Sequence, residues 1–359
     1  MSAAIEPASP PVAEITTGLE LLPALGFSDE VIQQLRSAAE GANTGSSDAP
    51  LKAALEVVGA FPLTLHRNAT LGIPQETTAR TLRDLERRML EYRQLHGTWG
   101  FDRFAWMQNH LAGSLFEIGR LQFMFGSWRE SFEVYQEPET RETWALANEG
   151  LVCDKQGLPR SEVIDSAFRT VREITVNGLV GHTADPRTGS ISPLPLRLPA
   201  SSQLAAASRD TVLHVHIPSG PGFTASACAQ SLREARLFFT RYYPDTEFKA
   251  ICCRTWLLDP ALREIMPAES NMLGLGRLFR LLTVPGANAR QHLERIFGSE
   301  VDWRTCVPQT RLQKAAQEFL ARGGEFHLTS GYLLWDDPQL IRKENEDHRE
   351  DFQSSGVFV

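Results

Sequence analysis

The sequence predicts an α+β chain, in which a mainly helical N-terminal region is followed by a mixed β-sheet flanked by helices. Three observations predict it. Apolar residues recur at helical spacing over the first part of the 359 residues, the period changes to alternation near Gly119, and Thr211 to Pro260 reads as strand, glycine turn, helix and returning strand. Hydrophobic residues make up 42% and charged residues 22%, which is ordinary globular usage. The length predicts two domains, or one with a large extension. The expected division is a flexible tail over 1–16, a helical domain over 17–118, a mixed α/β domain over 119–340 and a charged tail over 341–359.

Taken in order, Ser28, Asp29 and Glu30 open a helix with Val31, Ile32 and Leu35 on its apolar side and Gly41 as its stop. Residues 41–50 form a loop. A second helix over Leu51–Ala60 ends before Pro62. A third, Pro74–Leu95, places Leu82, Leu85, Met89 and Tyr92 inside and leaves Arg80, Arg83, Asp84, Arg87 and Arg88 on a solvated face. Phe101–Phe116 is a buried helix with Phe104, Met107, Leu111 and Leu115 along one side, beside Trp106 and His110, whose plain reading is a satisfied core histidine. Leu121, Phe123 and Phe125 then alternate with Gln122, Met124 and Gly126, so a sheet begins. Trp144–Val152 and Ile174–Val180 are shorter strands, separated by a helix over Ser161–Arg172. A long loop rich in Pro, Ser and Gly runs from Gly181 to Asp210.

The central stretch alternates Leu213, Val215 and Ile217 with Val212, His214 and His216. Ser219, Gly220, Pro221 and Gly222 break the strand, Thr224 or Ser226 caps the next helix, and Cys228, Leu232, Ala235 and Phe239 fall on one stripe. The helix ends near Tyr243. A second strand, Phe248–Leu258, returns in parallel as in a βαβ crossover, and such a turn presents backbone N–H groups to an anion. Further on, Pro260–Ile265, Ala287–Phe297 and Thr310–Arg322 are helices, Phe279–Val284 is a strand or helix end, and Phe326–Trp335 is a closing strand.

The net charge of −8 argues against extensive nucleic-acid binding, which requires a basic surface. No apolar run reaches the roughly 20 residues that span a bilayer, and the first residues carry no signal-peptide pattern. Five cysteines, two of them adjacent at Cys252 and Cys253, suit reduced thiols in a cytoplasmic protein, most simply as small buried hydrophobes. Oligomeric state is not readable.

Several phrases resemble a bacterial two-domain acyltransferase family with a helical N-terminal domain and a C-terminal domain like the GNAT N-acyltransferases. They are GRLQF at 119–123, VNGLVGH at 176–182, LHVHIP at 213–218, SLREARLFF at 231–239, CRTWLLDP at 253–260, PAESN at 267–271, PQTRLQKA at 308–315 and GGEFHLTSGYL at 323–333. The resemblance implies a GNAT-like sheet and acyl transfer from a thioester, with acyl-CoA as co-substrate and no bound cofactor, to an amine of a small molecule. No nucleic acid or membrane is implied. In the wider GNAT group a Gln or Arg precedes the glycine turn that holds the coenzyme A pyrophosphate, whereas Ile217 stands there in this chain. A second partial match, Asn271-x-x-Gly274-x-Gly276, follows a helix.

An N-acyltransferase needs a base for the amine, a polarised carbonyl and an acid for the thiolate. His216, His214 and His182 are the candidate bases, against hydrogen-bonded sheet partners as the plain alternative. Tyr332 is the candidate acid, against a core tyrosine. Ser219, Gly220, Gly222, Phe223 and Thr224 in the turn, with Arg254, Ser270 and Asn271, are candidate contacts to the cofactor. The plain alternatives are a helix cap for Ser270 and surface ion pairs for Arg254, Arg277 and Arg280. Two other functions fit the residues. One is a catalytically silent GNAT-like module that binds an acyl thioester or a protein. The other, lesser one is a metal-dependent enzyme using His214 and His216, which lacks a third ligand at motif spacing, so no metal site is assigned.

Overall fold

The structure is a computed structural model that describes residues 12–43, 49–160, 167–176, 178–286, 289–299 and 301–341. The chain divides into two compact units, one of residues 1–124, 217–219 and 238–243, the other of 125–216, 220–237 and 244–359. Among the described residues no helix is long and apolar enough to cross a membrane.

The first unit holds α1 (Val12–Leu21), α2 (Asp29–Asn43), α3 (Ala49–Gly59), α4 (Phe61–Thr70), α5 (Gln75–Leu82), α6 (Asp84–His96) and α7 (Phe104–Leu111), then the hairpin of β1 (Leu115–Ile118) with β2 (Leu121–Ser127), whose end passes into the second unit. Leu22, Val31, Leu35, Val58, Phe61, Leu85 and Met107 form its core. Several expectations are corrected here. Helix begins at Val12, inside the expected tail, and α2 runs past Gly41 to Asn43. Residues 44–48 of the expected 41–50 loop and most of both tails lie outside the described residues. The helix end expected before Pro62 holds, since α3 stops at Gly59, and Pro62 sits in the first turn of α4, where a missing N–H is harmless. The long third helix breaks at Arg83 into α5 and α6. Gly113, at φ +69°, closes the turn after α7, so Leu115 opens a strand instead of extending a helix.

The largest correction concerns the charged face of α6. Asp84 is completely buried. It accepts hydrogen bonds from Trp106 Nε1 at 2.8 Å, from Arg88 Nε at 3.3 Å and from Arg87, and it lies 3.3 Å from His110 Nε2. Arg87 also donates to Glu117 at 3.0 Å, which accepts from Gln122 at 3.1 Å. Burial alone would raise the Asp84 pKa, but the His110 ring, Arg88 and Arg87 together hold it well below the ordinary carboxylate value.

The second unit begins with β3 (Phe132–Gln136), β4 (Thr143–Ala147), β5 (Val152–Cys153), β6 (Phe168–Arg169), β7 (Arg172–Thr175), β8 (Gly178–Gly181), β9 (Leu196–Arg197) and β10 (Gln203–Ala206). The expected helix over 161–172 is not found in its described part, which carries β6 and the start of β7; residues 161–166 lie outside the described residues. The long loop from Gly181 likewise carries β9 and β10. Then follow β11 (Thr211–His216), α8 (Ala225–Tyr242), β12 (Ala250–Thr255), α9 (Leu262–Ile265), α10 (Asn271–Gly276), β13 (Arg280–Thr283), α11 (Arg290–Phe297), α12 (Arg311–Ala321), β14 (Thr329–Leu334) and α13 (Pro338–Ile341). Within this unit the main sheet runs β11-β12-β14-β13, parallel between β11 and β12 and antiparallel elsewhere. A three-stranded sheet, β10-β3-β4, packs Val134, Ala145 and Ala147 against Val212, Ala250, Cys252 and Tyr332 on one face of it. Thr224 caps α8 by accepting from Ala227 N at 3.1 Å, and Cys228, Leu232 and Ala235 are its buried stripe, as their spacing predicts.

Candidate active site

Strands β11 and β12 pair from Val212↔Ala250 to His214↔Cys252, and no pair follows, although the strands continue to His216 and Thr255. Two parallel strands that part in this way leave backbone N–H and C=O groups facing a gap. Beyond β11 the chain turns through Gly220 (φ +118°) and Gly222 (φ +77°), conformations that cost a side-chain-bearing residue about 1–2 kcal/mol. A Cβ on either would meet nothing within 4 Å, so backbone conformation, not crowding, calls for glycine there. The turn leads into the N-terminal end of the 18-residue α8, which favours an anion. Next to that end lies α10, since a Cβ on Gly274 would come within 2.8 Å of the Ala225 Cβ. The structure thus brings together the turn and the segment carrying Ser270 and Asn271.

On one flank of the gap stands His214. Its Nε2 lies 3.0 Å from the carbonyl oxygen of Ser127, which can only accept, so Nε2 carries the hydrogen and Nδ1 keeps the lone pair. The ring rests on Gly126, where a Cβ would fall 2.2 Å from His214 Cδ2. Nδ1 is on the opposite edge of the ring and makes no hydrogen bond among the described residues. Burial pushes the imidazole pKa below the ordinary 6.5, with the Ser127 carbonyl and Glu130 opposing and Arg129 and Arg254 assisting. A neutral ring with an open lone pair is a proton acceptor. His216 is half-buried two residues along the same face.

The other sequence candidates have different settings. His182 is buried, stacked on Phe168, and Nδ1 donates to Ser192 O at 2.8 Å, which makes it a structural member at the end of β8. Tyr332 lies in the core against Trp128, where burial raises its pKa to about 12, so it is corrected from thiolate acid to core tyrosine. Ser270 caps α10, accepting from Met272 N at 3.3 Å, and Asn271 is the exposed first residue of that helix. Arg254 pairs with buried Glu130 at 2.9 Å, and Arg277 donates to Ala268 O at 2.6 Å, so neither is a free phosphate partner. Ser219 donates to Glu91 Oε1 at 2.5 Å, and Phe223 is half-buried in the turn. Among the described residues no group of His, Cys, Asp and Glu could hold a metal ion, so His214 and His216 gain no third ligand.

Gly126, Glu130 and Arg129 were not singled out by sequence. Gly126 falls in a strand pattern where an isolated glycine signals close approach of another group, which was the available signal; nothing local marked the other two. The four buried thiols offer no accessible nucleophile. Burial lifts Cys253 to about 12 and Cys153 to about 11, raises Cys252 well above its usual value, and also encloses Cys228, whereas Cys306 is half-exposed. Native protein treated with iodoacetamide should therefore be alkylated at Cys306 alone, read by peptide mass; rapid labelling of Cys252 or Cys253 would contradict this geometry.

No curated protein matches the chain. Among solved structures it is similar to an acyltransferase in complex with decanoyl-CoA and teicoplanin, at 21% identity over 81% of this chain and 68% of that one, with a TM-score of 0.52. An acyltransferase mutant in complex with octanoyl-CoA is similar at 20% identity, with the same coverage and TM-score. At this identity the likeness shows the fold. The family profile of the N-acyltransferase N-terminal domain matches residues 19–113, and that of the GNAT-like C-terminal domain matches 115–333. The chain therefore belongs to the N-acyltransferase family in which a helical N-terminal domain precedes a GNAT-like C-terminal domain.

Proposed function

We propose that the chain transfers an acyl group from acyl-CoA to an amine of a small molecule, with His214 as the proton acceptor. The observation that carries this reading is the parting of β11 and β12 beside a glycine turn and the start of α8, with the neutral imidazole of His214 on the flank. The complexes of similar acyltransferases with decanoyl-CoA and octanoyl-CoA support the choice of thioester. Backbone N–H groups of the turn between Gly220 and Thr224, to which Pro221 contributes none, receive the pyrophosphate in place of the Gln or Arg side chain that the apolar Ile217 does not supply. The amine nitrogen attacks the thioester carbonyl carbon, its proton passes to His214 Nδ1, the C–S bond breaks, and the same proton is returned to the departing thiolate. One group thus serves as base and then acid. Use of acyl-CoA and five cysteines, two of them adjacent, fit a reaction in the cytoplasm.

Decanoyl-CoA at about 100 times its dissociation constant should stabilise the native protein by about 2.7 kcal/mol, read as a rise in melting temperature. A panel of amines should then give thiol release. Stabilisation without thiol release for any amine would favour a module that only binds the thioester. Absence of stabilisation would remove the reading altogether.

A further inference from the structure

Of Arg254, Arg277 and Arg280, the last alone makes no hydrogen bond or ion pair among the described residues. It opens β13 opposite Tyr332, so its side chain leaves the sheet on the face that Tyr332 shares and that β10-β3-β4 covers. There it is half-buried and lines a cavity of about 560 Å³. The register runs on from Tyr332 to Cys252 and His214, which puts the Cα of Arg280 three strand spacings, about 14 Å, from that of His214. The cavity is therefore a different place from the gap between β11 and β12.

A fastened loop forms its wall. Ala184 N donates to Ala145 O of β4 at 2.9 Å, while Leu281 N and Thr283 N of β13 donate to Pro186 O at 2.8 Å and Gly189 O at 3.2 Å. Gly189 has φ +74°, and a Cβ there would fall 2.8 Å from the carbonyl carbon of Leu282, so only glycine lets the loop lie this close to the edge strand. Clamped between β4 and β13, the wall is formed before any ligand arrives. Its other polar groups are engaged: the Ser190 hydroxyl lies 2.7 Å from Thr188 Oγ1, Ser192 donates to Leu194 O at 2.9 Å, and Asp185 Oδ1 accepts from Arg187 N at 2.7 Å and Thr188 N at 3.3 Å. The guanidinium is not. Arginine stays charged, and five N–H donors half withdrawn from water without an acceptor carry a desolvation cost that an oxyanion relieves. Arg280 and exposed Lys155 against Asp185 and exposed Glu142 make the lining neutral, so one ligand charge finds the guanidinium and a second meets like charge. A planar carboxylate also fits the guanidinium fork through two parallel N–H···O bonds. The volume lies within the range of about 300–1,000 Å³ usual for small-molecule sites, so the carboxylate can carry an organic body.

We propose that this cavity is a second ligand site, which takes a small organic monocarboxylate on the guanidinium of Arg280 and fills independently of the thioester.

At constant ionic strength, with chloride as the reference anion, melting temperatures are recorded against benzoate, acetate and inorganic phosphate in the wild-type chain, Arg280→Gln and Arg280→Lys. Benzoate is expected to raise the wild-type melting temperature saturably, and to do so at lower concentration than acetate or phosphate. Arg280→Gln should weaken benzoate by about tenfold or more, and Arg280→Lys should recover part of the loss. The decanoyl-CoA shift should be the same in all three proteins, and saturating decanoyl-CoA should leave the benzoate midpoint where it was. No saturable benzoate shift in the wild-type chain, or one that survives Arg280→Gln, overturns the site. A preference for phosphate that depends on Arg280 overturns the monocarboxylate class, and competition between benzoate and decanoyl-CoA overturns the independence of the two sites. Should Arg280→Gln fail to fold, wild-type crystals grown with benzoate decide: the carboxylate on the Arg280 guanidinium upholds the assignment, and benzoate elsewhere or nowhere ends it.

Discussion

Replacing His214 with alanine is expected to lower amine-dependent thiol release by about 10²–10⁴-fold, while decanoyl-CoA still raises the melting temperature. The size follows from the role: a positioned base contributes to the transition state and leaves thioester binding alone. The pH dependence has a definite sign. Burial holds the folded pKa of His214 below the unfolded value of 6.5, so the rate should be level above that pH and fall as pH drops through the lowered pKa. Between the two pKa values the unfolded chain binds more protons than the folded one, so stability also declines on acidification through this window. Loss of turnover in His216→Ala together with full activity in His214→Ala would move the base two residues along the strand. Retention of the acidic limb in an active His214→Asn variant would deny His214 that titration.

The second large effect is on stability. Asp84→Asn should destabilise the protein by about 3–5 kcal/mol, seen as a lower denaturant midpoint. The amide removes the negative charge that Arg87, Arg88 and His110 surround, and one of its two positions becomes a donor facing donors. Linkage supplies an independent readout. The folded pKa lies below the ordinary 3.8, so the contribution is present above that value and is lost as pH falls through the lowered one. The wild-type chain should therefore lose stability between about pH 4 and pH 2, and the variant should lose less. Equal slopes in the two proteins would show that Asp84 does not carry the effect.

Much of the second unit was legible because its signals are local. Val212 to His216 alternates, Gly220 and Gly222 break the strand, and Cys228, Leu232 and Ala235 mark a stripe, so β11, α8 and β12 could be placed by pattern alone. Asp84 was misread for an equally physical reason. Helical spacing tells which residues share a face of α6, but not that Trp106 and His110, from α7, cover that face and turn a charged side chain into a buried acceptor. The candidate site divided the same way. Its histidines stood out by alternation, whereas the Glu130 partner of Arg254 and the Gly126 seat of His214 depend on strands whose pairing the local sequence does not specify. Tyr332 looked chemically apt, and only its burial against Trp128 assigns it to packing.

The contact of the His214 ring with Gly126 reaches beyond this one molecule. A single methyl group at position 126 would occupy the space of the imidazole edge, 2.2 Å from Cδ2, so the two positions constrain each other through volume. In chains that share this arrangement, imidazole at the position of His214 should occur with glycine at that of Gly126, and a larger residue at the latter should accompany a smaller one at the former. Read as a pair, the two columns of an alignment would sort histidine-dependent members from members that must move the proton by another route.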